Sequence, residues 1–550
     1  MNIIEIIDNI EYTELYINNQ KIEVQEANLN AEFLKEPTGI AIRISELKEG
    51  NIYILDTQKI IKGEVDKNDI KELISELEKI KTFNISMLVV EDKIKDTELG
   101  KNILEIFKDT PILFGENRYY LTSKLAQNLY LNPQDELEII AVFGSLGKST
   151  TAQMIQRILC QKYTKVGIIS NEIIAIDEKL IREKNDAIPN AVVYNKVLRI
   201  MANEGVKIVV IEYSAFDVLK YKTIDTTFEY SVFTNIIRNT YEVRKFPSIK
   251  AYIDTYLNIV KQSNFVIINN DDIAKEMIRK NSKKYATYGK INKSKQMAMD
   301  IKSGNRKENY LTFIDSKPTR IEVKIPGQES VLNSLAAVTL ADQKKLTAEE
   351  ITEGLKDFVV RGKFEVIDNK EDLSIVIDNA RTITQIKDVV KKAKDLTKGL
   401  LTIIFDYKLE YAGKEEILGK IFANKADLTI ITNLEHEKEE IIDGAKKLRE
   451  IIRNNNSNAQ IQFNRIDAIK QSIDRTQKRD MILLLGVGEN NFIKKDDKLI
   501  AFNERKIILD YFEEKPIVTD DEKRRKQMKK KSKFKEVLTI EKLKKDIDKL

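Results

Sequence analysis

Short apolar runs alternate with longer amphipathic stretches over most of this chain. Leu137-Glu-Ile-Ile-Ala-Val-Phe143, Lys165-Val-Gly-Ile-Ile169, Lys207-Ile-Val-Val-Ile211, Tyr230-Ser-Val-Phe-Thr234 and Asn264-Phe-Val-Ile-Ile268 read as strands buried on both faces of a parallel sheet. Helical stretches separate them, for example Ala191 to Glu204 and Ser248 to Gln262. The alternation predicts a doubly wound α/β domain. A second alternating block begins near Val360. Its strands are Leu373 to Ile377, Leu400 to Ile404, Leu428 to Ile431 and Met481 to Leu485. Its helices are Thr384 to Leu396, Glu415 to Asn424, Ile441 to Asn454 and Asp467 to Lys478. The first 135 or so residues mix short strands (Glu23 to Val24, Asn51 to Leu55, Met87 to Val90) with helices such as Asp69 to Ile80. Pro133 marks the boundary before the strand at Leu137. The expected domains are 1–135, 136–359 and a Rossmann-like 360–516, followed by a tail at 517–550.

Composition narrows the picture modestly. A chain of 550 residues is too long for one core and implies about three domains. No run approaches the roughly 18 uninterrupted apolar residues that a membrane helix needs. The start, Met1-Asn-Ile-Ile-Glu, carries acid early and lacks the basic opening of a secretory signal. The single cysteine, Cys160, excludes an internal disulfide and fits a reducing compartment. Its place on a helix favours packing over chemistry, and the expected location is cytoplasmic. A net charge of +5 against 92 basic and 87 acidic residues does not by itself imply a nucleic-acid protein.

The chemistry concentrates after the first long apolar strand. That strand runs into Gly144-Ser-Leu-Gly147-Lys148-Ser149-Thr150-Thr151 and then a helical stretch, Ala152 to Leu159. Glycine-bounded turns let backbone N–H groups face anionic oxygens, the helix N-terminus adds positive dipole, and a lysine neutralises outer phosphates. Gly144, Ser145, Leu146, Gly147, Lys148, Ser149 and Thr150 are therefore the candidate nucleotide-binding loop, with the Ser149 hydroxyl on a magnesium ion. The spacing is shorter than the general P-loop, and an ordinary strand-to-helix turn is the alternative. Glu212 ends a neighbouring parallel strand, where ligands of open α/β sheets collect, and is the candidate metal carboxylate. The alternative for Glu212 is a salt-bridged strand-end acid.

With these positions placed, the sequence resembles the Mur ligase family. The resemblance is strongest to the UDP-N-acetylmuramoyl-peptide ligases that add the third amino acid of the peptidoglycan stem. It is collinear from about residue 37 to about 515. Ile44-Ser-Glu-Leu-Lys-Glu-Gly50 resembles the family's substrate-domain segment, and Gly144 to Thr151 its shortened phosphate loop. Ile211-Glu212-Tyr-Ser214 is similar to the magnesium-binding strand end, and Phe233-Thr234-Asn235 and Ile268-Asn269-Asn-Asp271-Asp272 to the two that follow. Pro326 to Ala337, with Asn333, resembles the helix that contacts the adenine side. Arg361-Gly362-Lys363-Phe364-Glu365 resembles the linker into the third domain, and Asp378-Asn-Ala380 that domain's first strand end.

The resemblance implies a three-domain enzyme whose ATP phosphorylates a carboxylate on a UDP-linked substrate. An amino group then attacks the acyl phosphate to form an amide. It assigns Lys148 and Glu212 to catalysis, Ser149 and Glu212 to Mg2+, and Asn333, Lys363 and Asp378 to the nucleotide. The implied partners are a nucleotide-linked small molecule and an amino acid.

Departures cluster where the family touches its substrates. The family's Asp-His pair, whose histidine binds a second magnesium, falls at Asn239 and Thr240. Its carbamoylated lysine falls at Tyr256, and a phenol cannot form a carbamate. The linker arginine is Lys363, which keeps charge but loses the planar fork. The motif that reads the incoming diamino acid has no counterpart around Thr432-Asn-Leu-Glu435-His436. The sugar-nucleotide loop is Ala187-Ile-Pro189, and Gly-Lys-Gly-His-Glu is reduced to Gly486-Val-Gly488-Glu489. Two functions fit this mixture: a divergent amide ligase with one magnesium, or a degenerate homologue that binds nucleotide or partner proteins as a regulator or scaffold.

His436, the only histidine, lies among charges and reads as a solvated side chain, and charged helices such as Glu435 to Arg449 read as solvated faces. The tail, with Lys523-Arg-Arg-Lys-Gln-Met-Lys-Lys-Lys, reads as a solvated, disordered extension. Contact with an anionic surface or docking on a protein partner are its alternatives. Specific nucleic-acid binding is not expected, because aromatics are sparse there.

Overall fold

The computed structural model describes residues 1–514 except 23–35, 63, 65–66, 184–189, 239, 241, 305, 368, 370, 372, 435–438, 489–491 and 496–497. The expected strand at Glu23–Val24, Asn239, the Ala187–Pro189 loop, His436 and the basic tail lie outside the described residues. The chain forms two compact units, Met1–Phe358 and Val359–Leu550.

The first unit opens with a six-stranded sheet. Its order is Gln20–Ile22, Glu14–Ile17, Ile112–Gly115, Met87–Glu91, Asn51–Ile54 and Gly39–Ala41, parallel except for the N-terminal hairpin. Strand alternation sends Ile52, Ile54, Met87 and Val89 into one core with Leu121 and Leu125. It sends Tyr53, Leu88 and Val90 into another with Leu77, Leu99 and Ile103. Both faces are thus covered, which explains the near-continuous apolar character of these strands. The helix expected at Asp69 to Ile80 spans Lys67–Thr82.

Next comes a nine-stranded sheet. From one edge it runs Lys179–Glu183, Ile173–Ile176, Val166–Ile169, Ile208–Tyr213, Glu138–Phe143, Phe228–Phe233, Ser263–Asn269, Tyr285–Gly289 and Gln296–Met297. Glu138–Phe143, first of these in sequence, sits in the middle and pairs in parallel with Ile208–Tyr213 on one side and Phe228–Phe233 on the other. The chain therefore changes direction of winding at its carboxyl end, which opens a crevice there. All five strands expected in this region are present, with ends moved by one or two residues. The antiparallel sheet Met299–Ser303, Glu308–Ile314 and Lys317–Val323 carried no alternation strong enough to anticipate.

In the second unit, Ser374–Asp378, Met481–Leu485, Leu401–Asp406, Leu428–Thr432 and Asn458–Ile461 form a parallel sheet in that order, with Glu365–Val366 added antiparallel. Arg465 is fully buried beside this sheet, donating to Glu504 Oε1 (2.6 Å), Thr432 Oγ1 (2.9 Å) and the Leu485 carbonyl (3.2 Å). Every guanidinium nitrogen donates at least once, which offsets part of the cost of burying the pair. The helix expected at Ile441 to Asn454 spans Glu439–Asn454, with its charged residues on a solvated face. Its Ile441, Ala445, Leu448 and Ile452 are core residues on one face.

Candidate active site

Strand Glu138–Phe143 delivers Gly144 to the crevice with φ +132°, and Gly147 follows at φ +81°. A Cβ on Gly144 would run into the Thr234 hydroxyl, and one on Gly147 into Asn333 Oδ1. Both positions need glycine for conformation and for space. Gly147 caps the helix Lys148–Leu159, which begins four residues earlier than the sequence suggested. Lys148, Ser149, Thr150 and Thr151 therefore occupy its first turn. Their amides gather at the helix start, where an anion is stabilised.

The loop is held from the side by the next strand end. Ser145 N donates to the Asn235 carbonyl (2.7 Å), Leu146 N to Asn235 Oδ1 (3.0 Å), and Asn235 Nδ2 back to the Leu146 carbonyl (3.0 Å). Leu146 itself is exposed, while Ser145, Lys148 and Ser149 are buried and Thr150 is half-buried. Lys148 Nζ donates to the carbonyls of Gly144 (2.8 Å) and Ser145 (3.1 Å) and lies 4.0 Å from Glu242 Oε2.

Opposite the loop, Glu212 ends strand Ile208–Tyr213 and is only 2% exposed. Its carboxylate accepts from Ser149 Oγ (2.7 Å), Asn171 N (3.0 Å) and Asn171 Nδ2 (2.9 Å). No lysine or arginine pairs with it in these contacts, so the salt-bridge reading of Glu212 has no support. One carboxylate and one hydroxyl, both hard oxygens, suit a magnesium ion that keeps waters and takes phosphate oxygens. Among the described residues no three His, Cys, Asp or Glu side chains form a metal cage.

Asn333 stands on helix Gln328–Gln343 against Gly147, which brings it to the loop. Lys363 and Asp378 belong to the second unit. Asp378 accepts from Phe364 N (2.8 Å) and Ala380 N (2.8 Å), and burial pushes its carboxyl above the usual range. Lys363 is exposed.

Three residues beside the loop escaped sequence reasoning. Asn171 follows strand Val166–Ile169, and its strand-end position was the available signal. Glu242 and Tyr252 belong to no motif and are visible only through folding: Tyr252 OH donates to Glu242 Oε2 (3.2 Å), and Ala215 N donates to Glu242 Oε1 (2.7 Å). Cys160 is half-buried at the C-terminus of the phosphate-loop helix, not wholly buried. Its thiol faces Asp177 Oδ1 (3.5 Å), and burial together with that carboxylate pushes it up to about 12.

Two family descriptions match this chain: "Mur ligase middle domain" over residues 142–341 and "Mur ligase, glutamate ligase domain" over 362–488, together more than half of it. The chain belongs to the Mur ligase family. A UDP-N-acetylmuramoyl-L-alanyl-D-glutamate–2,6-diaminopimelate ligase from Caldanaerobacter subterraneus subsp. tengcongensis is 28% identical over 435 residues, 78% of this chain and 89% of the relative. A solved structure of a ligase of that name aligns with TM-score 0.61 at 17% identity, covering 87% of this chain and 95% of that one. Folylpolyglutamate synthase of Mycobacterium tuberculosis, solved with ADP and AMPPCP, aligns with TM-score 0.50 at 13% identity, covering 66% and 92%. The three-domain α/β architecture of Mur ligases is the fold of this chain, and Mur ligases are ATP-dependent. No helix among the described residues is long and apolar enough to cross a membrane.

Proposed function

We propose that this Mur ligase is an ATP-dependent amide ligase that extends a UDP-muramoyl-peptide-like precursor by one amino acid through an acyl phosphate. The observation that carries the proposal is the join of Gly144–Thr150 to Glu212 through Ser149 at the switch point of the central sheet. A substrate carboxylate oxygen attacks the γ-phosphorus, the bond to the bridging oxygen breaks, and ADP leaves. The amino group then attacks the acyl carbon, phosphate departs and the amine loses a proton. Loop amides and Lys148 stabilise negative charge on the transferring phosphoryl group. Ser149 and Glu212 would hold Mg2+, which neutralises the outer phosphates when bound. Asn333 contributes to the nucleotide pocket, and Lys363 and Asp378 are assigned the corresponding role on the second unit.

The proposed division is a substrate domain at 1–135, an ATP domain at 136–359 and a ligase domain at 360–516, acting in the cytoplasm. The basic tail at 517–550 would meet an anionic surface or a protein partner. Beyond the departures at Thr240 and Tyr256 a binding-only role has no observation in its favour, and the phosphate loop, Ser149 and Glu212 keep the residue types that MgATP needs. ADP release from MgATP, a UDP-N-acetylmuramoyl-dipeptide and an amino-acid pool tests the reading, with Lys148→Ala alongside. Release that needs both substrates and Lys148 is expected, and dividing the pool names the amino acid. Release no greater than that of a folded Lys148→Ala protein would overturn it.

A further inference from the structure

We infer that this site works with one divalent cation and no lysine carbamate. We infer further that Tyr256 positions the phosphate loop through the Gly144 carbonyl. The inference deepens the reading above and rests on nucleotide binding at this loop.

Two donors converge on Gly144 O: Lys148 Nζ at 2.8 Å and Tyr256 OH at 3.0 Å. Lys148 must leave that carbonyl to meet phosphate oxygens. A buried carbonyl stripped of its partner is costly, and Tyr256 OH keeps Gly144 O satisfied when the ammonium swings away. Tyr256 is fully buried on helix Ile249–Gln262, with its ring centroid 5.3 Å from that of Phe143, the last residue before the loop. The phenol therefore has a fixed seat.

Among the described residues the same groups offer little to a second divalent cation. Burial above all, with the neighbouring Tyr252 and Glu242, pushes the Tyr256 phenol far up, so it presents an O–H donor and no anion. Tyr252, also fully buried and pushed up, donates to Glu242 Oε2 and lies 3.3 Å from Tyr256 OH. Glu242 is one carboxylate with an amide donor on one oxygen and a phenol and a cation on the other. Lys148 lies beside it in the unliganded chain, and once that ammonium turns to phosphate Glu242 stays a single carboxylate held by the Ala215 amide and the Tyr252 phenol. Thr240 Oγ1 accepts from Val243 N (3.3 Å), and the residue offers no charge. Mg2+ takes carboxylates, phosphate oxygens and waters in near-octahedral array, and among the described groups of this wall Glu242 offers one carboxylate already held by donors while Tyr252 and Tyr256 offer O–H groups. Glu212, on the other side of the loop, keeps the one site that the donor set fits.

Counting Mn2+ bound to the full chain in the presence of a non-hydrolysable ATP analogue, by electron paramagnetic resonance, tests the inference apart from activity. One Mn2+ per chain at saturation is expected, and ADP release should be unchanged in bicarbonate-depleted buffer. Tyr256→Phe should keep the count at one and its fold by circular dichroism, and should raise KM for ATP roughly five- to thirty-fold with little change in kcat. Tyr252→Phe, which leaves the Gly144 contact in place, should raise KM less. Two Mn2+ per chain with intact nucleotide binding would overturn the single-cation inference alone, and an unaltered KM in Tyr256→Phe would overturn the positioning role. No nucleotide-dependent Mn2+ uptake at all would overturn this inference together with the nucleotide reading beneath it.

Discussion

Glu212→Gln separates the metal role of this carboxylate from its structural one. In the unliganded protein Glu212 accepts three hydrogen bonds, two of them from Asn171. Glutamine keeps the shape but offers one acceptor and one N–H2 group. Asn171 can rotate its amide, whereas its backbone N–H cannot adapt. With its carbonyl oxygen where Glu212 Oε2 sits, the glutamine still accepts from Asn171 N and Ser149 Oγ, and its NH2 group meets the rotated Asn171 amide oxygen, so the variant loses charge assistance alone, at a cost of about 1 kcal/mol. In a unit this large, each kcal/mol moves Tm by roughly 2 °C, so the unliganded Tm should fall by only a few degrees. The liganded protein should behave very differently. At about 100 times Kd, a ligand specific to the native state stabilises by roughly 2.7 kcal/mol. Losing the metal carboxylate removes the Mg2+-dependent part of that stabilisation. Turnover should drop by about 100-fold or more, which corresponds to roughly 3 kcal/mol of lost transition-state stabilisation. Differential scanning fluorimetry with an ATP analogue, with and without Mg2+, measures both parts. A Glu212→Gln protein that keeps the full Mg2+-dependent shift would refute the assignment of this carboxylate to the metal.

Further outcomes follow from the same contacts. Gly147→Ala places a Cβ against Asn333 Oδ1 at φ +81°, which costs about 1–2 kcal/mol in conformation before the clash is counted. Its nucleotide affinity by calorimetry should fall at least tenfold. Cys160 has a thiol pKa raised to about 12, so on the order of one molecule in 10,000 carries thiolate at pH 8. Because the shift is upward, alkylation should be far slower than for an unfolded control at that pH. The rate should climb as the pH rises toward the folded value, and denaturant should abolish the difference.

Much of the central domain was legible because its strands are buried on both faces. Uniform apolar runs such as Ile208–Tyr213 stand out from their surroundings without any partner being known. The phosphate loop was legible for a different reason: glycine, lysine and hydroxyl are required there by local geometry. The helix start was misplaced because Lys148-Ser-Thr-Thr has poor helix propensity, and it is the left-handed Gly147 that starts the helix. The antiparallel sheet from Met299 to Val323 was missed because its strands are partly exposed and interrupted by charge. Glu242, Tyr252 and Asn171 were out of reach because their meaning is relational. Each acts on a group 40 or more residues away or across a turn, and no spacing rule encodes that.

The central claim is that this chain joins an amino acid to a nucleotide-linked muramoyl peptide at the expense of ATP. Mass spectrometry of the precursor after incubation with MgATP and an amino-acid pool tests it most directly. The expected product is heavier than the precursor by one amino acid less water, formed in equal amount to ADP and absent with Lys148→Ala. A precursor recovered unchanged while the folded wild-type protein binds MgATP would contradict it.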